Sequence, residues 1–68
     1  MCRSIVQLRR PEPVSPDEIE AAARQFVRKV SGYRQPSRAN AEAFETAVAD
    51  IARVTEDLLG ALVVRSSP

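Results

Sequence analysis

The sequence predicts an all-α protein: an antiparallel helix–loop–helix hairpin with an extended N-terminal arm. Three observations carry this reading. Apolar side chains recur at spacings of three and four along residues 19–30 and again along 41–62, as they do on helix faces. A complete helix-start signal stands at residues 14–19, and Gly32 stands where a helix would stop. Only residues 32–37 separate the two patterns, and so short a connection makes the helices antiparallel neighbours.

Each element follows from its local chemistry. The arm covers residues 1–15 and ends in Pro11-Glu12-Pro13-Val14-Ser15, stiffened by proline. Ser15 is a suitable N-cap, Pro16 suits the first helical position, and Glu18 completes a capping box. Val14 and Ile19 occupy the two positions of a hydrophobic staple. Helix 1 is expected at about residues 16–31, with Ile19, Ala22, Ala23, Phe26, Val27 and Val30 on one stripe. The loop, Gly32-Tyr33-Arg34-Gln35-Pro36-Ser37, holds a proline that discourages helix at the residue before it. Ser37, or alternatively Asn40, would cap the next helix. Helix 2 is expected at about 38–63, with a seam of Ala41, Phe44, Val48, Ile51, Thr55, Leu58 and Leu62. Gly60 is its weak point.

Residues 1–68 make one domain, and a chain this short has a thin core. Alanine supplies ten of its hydrophobic residues, leaving seventeen larger aliphatic and aromatic side chains other than tyrosine and methionine. A lone hairpin of that kind is marginal without a staple. One cysteine cannot form an internal disulfide, and without histidine the common zinc spacings are absent. Self-association is the staple that remains, as a homodimer or a higher oligomer.

The helix lengths give the same answer. Helix 1 would span about 24 Å and helix 2 about 39 Å, so the second overhangs the first. The overhang carries Leu58, Leu59, Leu62 and Val63. Two covers are available, Ile5, Val6 and Leu8 of the arm folding back and a second chain with a matching surface, and the two together would make a symmetric four-helix dimer. The candidate interface is therefore Ile5, Leu8, Leu58, Leu59, Leu62 and Val63.

The opening residues hold no h-region of a secretory signal, and no apolar run reaches the ~20 residues of a membrane span. The expectation is a cytoplasmic protein with no membrane partner. Net charge is only +1, but it is divided into blocks. Residues 24–38 carry five cations, and 42–57 carry five acids with one arginine. Antiparallel helices set these blocks side by side, where they complement each other.

Three stretches together resemble a known family. They are Met1-Cys2-Arg3-Ser4-Ile5, Phe26-Val27-Arg28-Lys29-Val30-Ser31-Gly32 and Pro36-Ser37-Arg38-Ala39-Asn40. The chain is similar to small uncharacterised bacterial proteins that open Met-Cys-Arg-Asn-Ile. Those proteins also carry Phe-Val-Arg-Lys and Lys-Pro-Ser-Lys-Ala-Asn segments. Arg38 stands where lysine is frequent, and the stretch ending Ser66-Ser67-Pro68 is shorter than the charged tail of many members. The resemblance implies a domain of unknown function and supplies no activity.

No arrangement of residues points to catalysis, a cofactor or a metal. Glu12, Asp17, Glu18 and Glu20 are accounted for by helix-start chemistry better than by acid–base work. The leading expectation is a non-enzymatic protein-binding or adaptor module acting as an oligomer. One alternative is nucleic-acid or anion binding through Arg24, Arg28, Lys29, Arg34 and Arg38, with Tyr33 available for stacking. The ordinary account of those cations is a solvated helix end facing Glu42 and Glu45. The other alternative is thiol or metal chemistry at Cys2, were Met1 removed. The ordinary account of Cys2 is a small apolar residue seating the arm.

Overall fold

A computed structural model describes residues 7–10 and 12–62. It is an all-α hairpin of two packed helices, with no strand among the described residues. Helix α1 spans Pro16–Ser31 and helix α2 spans Ala41–Ala61. A three-residue 3-10 turn, Arg38–Asn40, leads into α2.

The start of α1 is tied down on both sides. Ser15 is extended, its Oγ accepts from the Glu18 backbone N–H at 3.2 Å, and its own N–H donates to Glu18 Oε1 at 3.2 Å. Two otherwise orphaned N–H groups are satisfied in this reciprocal way. Arg10 adds a third anchor: its Nη2 donates to both Glu18 carboxylate oxygens at 2.8 Å and to the Pro13 carbonyl at 3.1 Å. At the other end Gly32 takes φ 78°, and its N–H donates to the Arg28 carbonyl at 2.9 Å. A side chain at that left-handed position would be strained.

The entry to α2 departs from the expected capping. Neither Ser37 nor Asn40 offers its side chain to the helix N-terminus. Instead the Asn40 backbone N–H donates to the Ser37 carbonyl at 3.0 Å, closing the 3-10 turn. The Asn40 amide Nδ2 donates to Ser37 Oγ at 2.9 Å and to Tyr33 Oη at 3.4 Å. The two candidate caps are thus spent on each other, and the α-helix proper begins three residues later than the expected Arg38. Its end also differs. The chain remains helical through Gly60 to Ala61, and Leu62 is extended at φ −69°, ψ 134°.

The core is small. Ile19, Ala23 and Val27 from α1 and Phe44 and Val48 from α2 are buried. Ala47, Ile51 and Ala52 pack, half-buried, against the cluster of Ala23, Val27, Phe44 and Val48. Phe26 and Val30, which share the α1 apolar stripe, are 46% and 70% exposed. The stripe on α1 is wider than α2 alone can cover, because two helices bury only the strip where they touch.

Candidate functional site: one apolar face

Six large hydrophobic side chains stay exposed among the described residues, and all but Val54 line one trough between the helices. The six are Phe26, Val30, Tyr33, Val54, Leu58 and Leu62, each at least 41% exposed. On α2, Ile51, Val54 and Leu58 follow one another at steps of three and four and so lie along one flank of the helix, and Leu62 follows just past its end. On α1, Phe26 and Val30 do the same, and Tyr33 continues the row beyond Gly32.

Two concavities make this face a continuous trough. The one nearer the loop is lined by Phe26, Val30, Tyr33, Phe44, Ala47 and Ile51, among others. The one nearer the chain termini is lined by Leu8, Phe26, Ile51, Thr55, Leu58 and Leu62, among others. Phe26 and Ile51 are common to both and form the floor where they join. Thr55 does not interrupt the apolar floor: its hydroxyl donates to the Ile51 carbonyl at 2.6 Å, so the polar atom is turned back onto its own helix.

The opposite side of the hairpin is closed by charge. Arg24 reaches across from α1 and binds Glu45 of α2 through two hydrogen bonds, Nη1 to Oε2 at 2.7 Å and Nη2 to Oε1 at 3.0 Å. The same Nη2 also donates to Glu20 at 3.2 Å. Such paired, charge-assisted contacts favour both charged forms. The Glu45 carboxyl is accordingly held below the usual glutamate range, chiefly by the Arg24 hydrogen bonds, and the Arg24 guanidinium is pushed further up, chiefly by Glu45. Glu18 is likewise lowered, first by the hydrogen bond from Arg10 and next by the Ser15 backbone N–H.

The residues singled out from sequence divide as follows. Leu8 and Leu59 are half-buried against each other's surroundings, lining a common hollow with Val14 and Ile19. Leu58 and Leu62 remain exposed on the trough. Ile5, Val63 and Cys2 lie outside the described residues; of the arm, Gln7, Leu8 and Arg9 line the same concavity as Leu58, Leu59 and Leu62. The five basic residues do not form one cluster of open cations. Arg24 is bound by two carboxylates, and Arg28 donates its Nε to the Arg34 carbonyl at 3.0 Å. Lys29, Arg34 and Arg38 are exposed. Phe26, Val30, Tyr33 and Ile51 are the residues of the trough that the overhang argument did not include. The signal that would have found them is the width of the α1 stripe, which exceeds what one partner helix can cover.

Among the described residues no group of His, Cys, Asp and Glu is placed to hold a metal ion. No helix there is long and apolar enough to cross a membrane. No curated protein and no solved structure matches the chain. A model of one family, described as "Uncharacterized conserved protein (DUF2277)", matches residues 1–68. The match spans the entire sequence, and the chain therefore belongs to the DUF2277 family of uncharacterised conserved proteins.

Proposed function

We propose that the protein is a non-enzymatic binding module whose working surface is the apolar trough between α1 and α2. One observation carries this reading: five of the six exposed large hydrophobics, all but Val54, line one trough, while the other side carries the Arg24–Glu45 ion pair between the helices. Scattered exposed hydrophobics are ordinary, but a contiguous row rimmed by polar residues marks an interaction surface. The trough offers shape and apolar area. The loop-side concavity is lined by no carboxylate, lysine or cysteine, so it suits contact better than proton transfer.

The test asks whether the face is covered in the cell. A single thiol is placed at the trough by Leu58→Cys and, as a reference, outside it by Arg38→Cys, both with Cys2→Ser. Labelling rates inside cells are compared with rates in denaturant. The reading expects Leu58→Cys to be slowed about tenfold or more, and Arg38→Cys to be nearly unaffected. Equal labelling at both positions would show an uncovered face and sink the proposal.

A further inference from the structure

The trough runs the length of the hairpin, and the two halves of the hairpin carry opposite charge. The loop half, residues 24–47, holds five cations against two acids, a net +3. The open half, residues 7–23 and 48–62, holds three cations against seven acids, a net −4. Internal pairing sharpens this division. Arg24 and Glu45 neutralise each other, which leaves Arg28, Lys29, Arg34 and Arg38 outside any ion pair among the described residues. In the open half Arg10 is engaged with Glu18 and Arg53 lies 3.5 Å from Asp50, whereas Asp17, Glu56 and Asp57 have no such partner among those residues.

Area supports an occupant of the hairpin's own size. Helix α2, with 21 residues, is about 31 Å long, and two helices side by side are about 20 Å wide. Helix α1, with 16 residues, is about 24 Å long, so the flat projection of this side is about 550 Å², below the ~800 Å² that each partner contributes to a standard interface but of that order. A second hairpin has a face of the same length, the same width and the same apolar character.

We infer that a second copy of this chain covers the trough, lying head to tail about a two-fold axis perpendicular to the helices. The inference rests on the docking reading above and names its occupant. In this arrangement α1 lies antiparallel over the partner subunit's α1 and α2 over its α2, so the end of the trough that holds Val30 and Tyr33 in one protomer lies over the open end of the other, and the basic loop half of each lies over the acidic open half of the other. Stacking the hairpins in the same direction would bury an equal area but would set +3 over +3 and −4 over −4. A two-fold contact uses the same patch on both copies, so it closes as a dimer and leaves no trough to recruit a third. The product is a two-layer, four-helix bundle in which the apolar side chains of the trough become a second core.

Sedimentation of the purified full chain across a wide concentration range tests the assembly, and its salt dependence tests the direction. Head-to-tail packing predicts a monomer–dimer equilibrium whose dissociation constant rises about tenfold between low salt and ~1 M, where charges are screened within about 3 Å. Spin labels at Gln35→Cys with Cys2→Ser, at the loop tip, are expected to lie about 30 Å or more apart, the length of a helix. A short label-to-label distance, with affinity that improves as salt rises, would show same-direction stacking and overturn the inference. A monomer at every concentration would overturn it too. In that case slow labelling of Leu58→Cys in cells would still support a docking face with a different occupant, and fast labelling would remove both proposals.

Discussion

Arg24 is the residue at which the two helices are joined by charge. Its guanidinium binds Glu45 across the hairpin and Glu20 one turn back on its own helix. Because Glu45 titrates below the usual glutamate range in the folded chain, its ionised form favours folding. The sign follows directly. A lowered carboxylate contributes stability at pH values above its unfolded value, and that contribution disappears as pH falls through the folded value. Glu18, lowered by Arg10 and Ser15, behaves in the same sense. Glu45→Gln is therefore expected to be less stable than the wild type at neutral pH. Below the glutamate range, where both side chains are uncharged, the two should converge. Thermal midpoints of the two proteins at pH 7 and pH 3 check this; a difference that persists undiminished at pH 3 contradicts it. The sequence shows a basic block facing an acidic one, but not which cation meets which acid. Arg24 and Glu45 are 21 positions apart, and only the register of α1 on α2 selects them. That is why Arg24 reads in sequence as one of five equivalent anion contacts and in the structure as a tie between helices.

At the scale of the element, the two helices were legible to different degrees. The start of α1 was readable in full because its chemistry is local: Ser15, Pro16 and Glu18 are neighbours and their geometry is that of any capping box. The start of α2 was not, because Ser37 and Asn40 each have a second partner. Tyr33 and Ser37 draw the Asn40 amide away from the helix, and only the folded loop brings these groups together. Gly60 raises the converse case. Glycine costs a helix about 1 kcal/mol relative to alanine, yet α2 continues through it. The preceding Leu59 is half-buried and lines a hollow with Leu8, Val14 and Ile19. A β-carbon at Gly60 would meet nothing within 4 Å, and its backbone is not in the left-handed region. Gly60→Ala is thus expected to stabilise the protein by about 0.5–1 kcal/mol, read as a higher denaturation midpoint with unchanged slope. A loss of stability would mean that Gly60 approaches another surface, and it would place the end of α2 inside an interface.

At the scale of the whole molecule, the arithmetic of layers decides the outcome. Two helices in contact bury one strip each, and here that strip holds five buried side chains, one of them an alanine. The sequence disclosed the amphipathic stripes and the overhang, from which incomplete cover follows. It did not disclose that the uncovered area also includes Phe26, Val30 and Tyr33, since the rotation of α1 against α2 is set by packing and not by either stripe alone. If a second copy completes the core, folding and association are linked, and the thermal midpoint must rise with protein concentration. Two substitutions separate the layers. Val48 is 2% exposed at the centre of the single hairpin, so Val48→Ala should cost about 2 kcal/mol and lower the midpoint at every concentration. Leu58 is 55% exposed in the single chain, so Leu58→Glu leaves that hairpin's core intact while placing a charge in the apolar trough. It should abolish the concentration dependence and leave the midpoint at the dilute wild-type value. Calorimetry of the three proteins over a hundredfold range of concentration distinguishes the cases. Were Leu58→Glu to keep the full concentration dependence, association would have to use some other surface, and the apolar trough would need a different explanation.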